Sequence, residues 1–434
     1  MISSLLTYCR NFIQQHKTIV ENASYMMLLQ VFLMLAPLIT YPYLVRVLGM
    51  ETYGWVLTAQ MLASYFSIII DFGSNSVCAK HVALAKDNNS LLSEIVCSVF
   101  YTRFFIAFVG FFVYLGIVLL VPSYREHLLL FMLSYGMTFN ELFFPQYFYQ
   151  GIEKMKLIAI TNVVIKALFI ALIFVVIHQP EDYIYVPVFY TIGYGVAGII
   201  ALFFIFHKLS IPFSRPNKHA MIKYAKDSFS ILATDIICTI KDKINYLLVG
   251  AYIGADSVVV YDLGLKLNTV LIQPYSIIKT VLFPRSAQTR NIQKIKTSIV
   301  AVFTITVVCV VLTEIFLQPI AAFFIGDDTI DLLPIRLLLI APIILSVSVP
   351  IASNVCIALG YNKYVFYSIL VTTGAYVIVL AGLALTDQLN SILSFVLLAL
   401  IAYLVELIYR LFVFRRIAKE EQLKQSNKDI SSAQ

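Results

Sequence analysis

Apolar runs long enough to cross a membrane follow one another along this chain with almost nothing between them. A hydrocarbon layer about 30 Å thick needs roughly 20 apolar residues per helical crossing. Runs of that kind lie at 19–45, 53–72, 93–120, 128–149, 157–177 and 184–206, and again at 228–253, 257–281, 298–324, 333–358, 364–385 and 391–413. Of the 434 residues 60% are hydrophobic and 13% charged, where a soluble domain carries about 25% charge. A mean hydropathy of +0.87 leaves too little polarity to cover a water-facing surface. The expected fold is therefore all-α and polytopic, with about 12 transmembrane helices.

The charged residues between the runs alternate in sign. One set of intervals holds Arg10 and Lys17; Lys80 and Lys86; Lys154 and Lys156; Lys208, Arg215, Lys218, Lys223 and Lys226; Arg285, Arg290, Lys294 and Lys296; and Lys363. The C-terminal tail adds Arg415, Arg416, Lys419, Lys424 and Lys428. The other set carries Glu51, Glu126, Glu181, Asp182, Asp256, Asp327, Asp328, Asp331 and Asp387, with Arg46, Arg125 and Arg336 as its bases. Because Lys and Arg collect on the cytoplasmic side, both termini are expected there. This placement also accounts for the net charge of +7 without a nucleic-acid partner. Residues 1–17 lack an apolar core and a small-residue cleavage site, so no signal peptide is expected. The six cysteines are scattered without a C-x-x-C pair, which predicts packing residues and no metal site. No phosphate-binding loop is present, no cofactor is expected, and no polar segment has room for a nucleotide-binding or catalytic domain; the chain does not read as an enzyme.

An internal repeat divides the runs. Shifted by 205 positions, Leu48-Gly49-Met50-Glu51-Thr52 falls on Ile253-Gly254-Ala255-Asp256-Ser257, the basic stretch Lys80–Ser93 on Arg285–Ser298, and Pro145 on Pro350. A small gap then aligns Gly151-x-x-Lys154 with Gly360-x-x-Lys363. The pattern predicts two six-helix bundles in parallel repeat, at 1–206 and 228–414, joined by a cytoplasmic linker at 207–227 and followed by a cytoplasmic tail at 415–434.

Ionisable groups inside the runs are functional candidates, since each costs at least about 2.5–3.5 kcal/mol to insert. Near expected mid-depth lie Arg103, Glu141, Lys166, Lys241, Asp242, Lys243, Asp262 and Lys266, with Asp235 elsewhere in its run. Asp262 and Lys266, like Glu406 and Arg410, are spaced to pair along one helical face. Lys241, Asp242 and Lys243 are consecutive and point around more than half of a helix, so at least one must meet a polar cavity or another charge. Arg103 and Lys166 have no carboxylate within one turn and could meet Glu141 from a neighbouring helix. Together Arg103, Lys166, Lys241, Lys243 and Lys266 would suit a pyrophosphate group between the halves. Asn22, Gln30, Gln60 and Asn75 could hydrogen-bond sugars or join helices, and Phe143, Phe144, Tyr147, Phe148 and Tyr149 could line a sugar path or simply pack.

The segment Pro37-Leu38-Ile39-Thr40-Tyr41-Pro42-Tyr43-Leu44-Val45-Arg46-Val47-Leu48-Gly49, then Tyr53-Gly54, Asp71-Phe72-Gly73 and Pro145-Gln146-Tyr147-Phe148-Tyr149-Gln150-Gly151, resembles bacterial Wzx-type O-antigen flippases of the multidrug/oligosaccharidyl-lipid/polysaccharide superfamily. Gln146-Tyr147 departs from the family pattern, which more often has Trp after the Pro. The resemblance implies a MATE-like fold in the bacterial inner membrane. It also implies a flippase that moves an undecaprenyl-pyrophosphate-linked oligosaccharide between leaflets by ion-coupled alternating access, next to membrane lipid and the polysaccharide polymerase machinery. Glu141, Asp235, Asp242 and Asp262 are the coupling candidates. An exporter of cationic small molecules is the alternative; its cavity should be acidic, whereas here the central bases at least equal the acids.

Overall fold

A computed structural model describes residues 17–215, 217–327 and 329–433. Among them the regular structure is helical throughout, and each predicted run falls on helix. Eight helices are long and apolar enough to cross a membrane, from Met50–Leu84 to Ile392–Glu421, and the shorter stretches Leu35–Leu48 and Ile160–Val176 are apolar too. The two runs outside this set form Lys218–Tyr252 and Ala255–Thr289. These are the helices that carry Lys241, Asp242 and Lys243, and Asp262 and Lys266.

The chain separates into two compact units, Met1–Ile236 and Ile237–Gln434. In the first, the helices Lys17–Leu48 and Asn89–Leu120 run unbroken. The second span, Met50–Leu84, continues past the expected end at 72 and is interrupted after Asp71, where Phe72 (φ 43°) and Gly73 (φ 74°) both take left-handed backbone before the helix Ser74–Leu84 begins. The fourth is split at Phe144 and Pro145 between the short helices Phe139–Phe143 and Gln146–Gly151. Both breaks follow from local chemistry. Left-handed backbone ends a helix, and Pro145 supplies no N–H and disfavours helical backbone at the residue before it.

Small residues let the helices of this unit approach closely. A Cβ on Gly193 would fall 1.7 Å from a ring carbon of Phe169, and one on Gly198 would fall 2.3 Å from the Cβ of Phe143 and 2.9 Å from its backbone carbon. The segment expected as a linker, 207–227, is packed on this unit. Ile211, Ala220 and Tyr224 are buried in its core, Ser93 donates to the Pro212 carbonyl, and Asp227 lies 3.3 Å from His81. Its alternating apolar residues are what draw it onto the bundle.

The second unit contains its own interruption at the repeat-related proline. The helix Ile340–Pro350 widens directly into a π-helical stretch, Ile351–Ile357. At one end, the long final helix Ile392–Ala433 is fastened by Glu421. Its carboxylate, 3% exposed, accepts from Arg290 Nε and Nη2, each at 2.9 Å, and from the Tyr361 hydroxyl at 3.0 Å. Arg290 also donates to the Leu359 carbonyl at 3.1 Å, so one guanidinium ties three segments together.

Two stability measurements follow from these contacts. Gly198→Ala should lower stability by about 1–3 kcal/mol through overpacking against Phe143, read as a drop in thermal unfolding temperature in detergent. Glu421→Gln should cost about 1–2 kcal/mol in the same assay; the guanidinium of Arg290 is 43% exposed and can turn to water, so the loss stays below that of a fully buried pair. Arg415→Gln, on the same helix, should leave the unfolding temperature unchanged.

Candidate functional site

The densest polar site in the first unit is built around Arg103, in the middle of the helix Asn89–Leu120 and 1% exposed. A guanidinium has five N–H groups in a fixed plane, and here every nitrogen has a partner. Nε donates to Ser74 Oγ at 3.1 Å. Nη2 reaches Asp71 Oδ1 at 2.5 Å, Ser74 Oγ at 2.7 Å and Asn75 Oδ1 at 3.1 Å. Nη1 donates to two main-chain carbonyls, Glu141 at 2.5 Å and Phe144 at 3.3 Å. The Tyr147 ring lies 5.3 Å from the guanidinium carbon. The carboxylate that neutralises Arg103 is thus Asp71, whereas Glu141 meets it through its backbone.

Glu141 is placed beside this cluster and is held differently. Its Oε1 accepts from Asn140 Nδ2 at 2.7 Å and its Oε2 from Asn75 Nδ2 at 3.2 Å. Asn75 therefore works in both directions, because its Oδ1 also accepts from the Tyr147 N–H at 3.3 Å. That N–H belongs to the first turn of Gln146–Gly151, where a helix has no internal acceptor for it. Asn75, expected as a sugar or helix contact, is a helix-joining residue. The aromatic run next to it is core: Phe144, Tyr147, Phe148 and Tyr149 are buried together in one cluster. These four rings act as packing in this structure, set against one another and against neighbouring helices.

The second unit brings Asp262 and Lys266 together as the helical spacing predicts. Lys266 Nζ donates to Asp262 Oδ2, and the other carboxylate oxygen accepts from Tyr246 at 2.6 Å. Next to this pair, Asn245 donates to the Tyr261 hydroxyl at 3.0 Å and to the Phe395 carbonyl at 3.2 Å, and accepts from Tyr376. Glu406 and Arg410 form the other predicted pair, at 2.5 Å, and Arg410 continues to the hydroxyl and carbonyl of Ser348. Lys243 is half-buried, and Asp235 is exposed. The side chains of Lys166, Lys241 and Asp242, and those of Asn22 and Gln30, lie outside the described residues.

Of the predicted candidates, then, Arg103 and Glu141 share one network and Asp262 and Lys266 another. The residue missed from the sequence is Asp71. It sits at the expected end of its run, where a carboxylate reads as a boundary marker. The signal that could have found it is the Asp71-Phe72-Gly73 break itself, which puts a carboxylate at a helix end within the single apolar span Met50–Leu84.

With this geometry in hand, similarity to known proteins can be weighed. The chain is 24% identical over 276 residues to an Escherichia coli (strain K12) protein named "Putative O-antigen transporter", covering 64% of this chain and 66% of that one; it thus spans just under two thirds of that relative's length. Among solved structures, an inward-facing multidrug resistance MATE family transporter of the MOP superfamily superposes with a TM-score of 0.64 at 14% identity, covering 91% of this chain and 99% of that one. The lipid II flippase MurJ in an inward closed conformation superposes with a TM-score of 0.62 at 13% identity, covering 93% and 91%. The fold is therefore that of the MATE and MurJ transporters in a multi-pass membrane protein. The model of the family described as "Polysaccharide biosynthesis protein" matches residues 19–290, more than half of the chain, and this protein is a member of that family.

Proposed function

We propose that this protein is a flippase for an undecaprenyl-pyrophosphate-linked oligosaccharide, an O-antigen repeat unit, carrying it from the cytoplasmic to the periplasmic leaflet of the bacterial inner membrane. The observation that carries the reading is membership of a polysaccharide biosynthesis family by a chain that is helical and membrane-spanning and whose relative bears the name of an O-antigen transporter. The alternating loop charges support this direction, with both termini on the cytoplasmic side. The two repeated six-helix halves alternate access, coupled to an ion, and the polymerase machinery receives the product.

In this reading Lys166, Lys241 and Lys243 supply positive charge to the pyrophosphate. Lys266 enters the same surface only in exchange for Asp262, with which it is already paired. Arg103 directs its donors inward, to protein groups, and is assigned a different role below. Among the coupling candidates Glu141 is favoured over Asp262, because its carboxylate is held by neutral amides and has no cation bonded to it. Export of cationic small molecules is the second reading, suggested by the MATE-like fold. The in-span lysines weigh against it, since a cation would meet like charge.

Depletion of the protein should leave undecaprenyl-linked repeat units on the cytoplasmic face and abolish surface polysaccharide. Undiminished surface polysaccharide, in a strain without a substituting copy, would refute the flippase reading, and loss of organic-cation efflux on the same depletion would establish the second. Neutralising Lys166, Lys241 or Lys243 should each reduce export by about 10–100-fold at matched expression, the loss expected for one charge-assisted contact. Arg415→Gln should export normally. Normal export by all three lysine variants would remove the cationic-surface assignment.

A further inference from the structure

The fourth run is broken in the membrane, and the break creates a specific deficit. In a helix the carbonyl of residue 141 would accept from the N–H of residue 145. Residue 145 is proline, which has none. The Glu141 carbonyl is therefore left without its intrahelical donor, in a setting where an orphan carbonyl costs several kcal/mol. Arg103 Nη1 sits 2.5 Å from that oxygen and 3.3 Å from the Phe144 carbonyl, which also accepts from the Gln146 N–H at 3.0 Å. Phe144 itself is extended, at φ −94° and ψ 105°.

The same guanidinium anchors the other break. Its remaining nitrogens hold Asp71, Ser74 and Asn75, which flank the left-handed Phe72-Gly73 turn. Asn75 then returns to the N–H of Tyr147, on the far side of Pro145. A single side chain on an unbroken helix thus bridges two interrupted ones, and replaces the N–H that proline removed.

We propose that Arg103 is a positioning residue: it stands in for the missing Pro145 N–H, keeps the fourth helix open at Phe144–Pro145, and thereby holds Glu141 where Asn75 and Asn140 reach its carboxylate. The inference concerns how the first unit is held and does not depend on which cargo moves. A substrate-gripping Arg103 would keep at least one N–H face free; here none is. Lysine in its place would carry the charge yet could not span both carbonyls and Asp71 at once.

The test is a double-mutant cycle between Arg103→Met and Pro145→Ala, with Arg103→Lys as the milder variant, on full-length protein. Thermal unfolding in detergent and hydrogen exchange across 139–151 are read alongside surface polysaccharide in a strain lacking its own copy. Arg103→Met should lower the unfolding temperature and raise exchange at least tenfold across 139–151. Adding Pro145→Ala restores an N–H to the Glu141 carbonyl and should recover at least half of both changes. Surface polysaccharide should nonetheless stay at least tenfold below wild type in the double variant, because the helix is then closed. Arg103→Lys should show the same pattern in weaker form.

Strictly additive stability effects in the cycle would overturn the proposal. So would recovery of stability and export together, which would make Arg103 an ordinary structural contact. Should Arg103→Met not accumulate, the Arg103→Lys cycle decides by the same criteria. If the wild-type protein itself fails to restore surface polysaccharide, the flippase reading falls while the stability cycle still judges this one.

Discussion

Inside a bilayer nothing but the protein can hydrogen-bond its backbone, so an interrupted helix survives there only where side chains take over its lost bonds. The first unit has two such interruptions, and Arg103 serves both. An arginine costs about 2.5–3.5 kcal/mol to place at the centre of a membrane helix; leaving the Glu141 carbonyl without a donor would itself cost several kcal/mol there. Asp71 neutralises the charge at 2.5 Å, so what remains is a compact knot of satisfied donors. The left-handed turn at Gly73, the extended Phe144 and the short helix after Pro145 all hang from it.

The second unit solves a related problem with other parts. Two of its ionic pairs, Asp262–Lys266 and Glu406–Arg410, are local, spaced four residues apart on one helix. Pro350, which coincides with Pro145 under the repeat, leads into π-helical backbone and leaves no extended gap. An arginine is again close by: Arg410 donates to the Ser348 carbonyl, two residues ahead of that proline. It comes from the last helix of its unit, whereas Arg103 comes from the third. The repeat therefore preserved the position of the interruption and not the side chain that tends it.

Much of the fold was legible because hydrocarbon imposes one rule on every run: length and apolarity mark a membrane helix wherever they recur. The in-helix pairs were legible for the same reason, since an i, i+4 spacing needs no knowledge of tertiary structure. What could not be read was every contact between helices. Arg103 was visible as a buried charge, but its choice of Asp71 over Glu141 depends on two backbone breaks meeting at one guanidinium. Asn75 fits a sugar contact or a helix contact equally from sequence, because an amide carries no mark of whether it faces a ligand or another helix. The rings from Phe144 to Tyr149 were equally ambiguous, and packing decided for the core. The segment 207–227 looked like a tether by its prolines and charges; its few apolar residues, Ile211, Ala220 and Tyr224, were enough to dock it.

The bond between Arg290 and Glu421 joins residues 131 positions apart, and Glu421 lies near the end of the last helix. During synthesis the Arg103 knot, contained between Asp71 and Tyr147, has all its members in hand once Tyr147 is made. The Arg290 fastening has to wait a further 131 residues after its arginine, until Glu421 emerges. A ribosome that stops short, or a protease that trims the tail before Glu421, therefore leaves a first unit with its polar knot complete and a second unit without its fastening. The two units are thus secured in order of synthesis, the first from within its own early helices and the second only when its long final helix arrives.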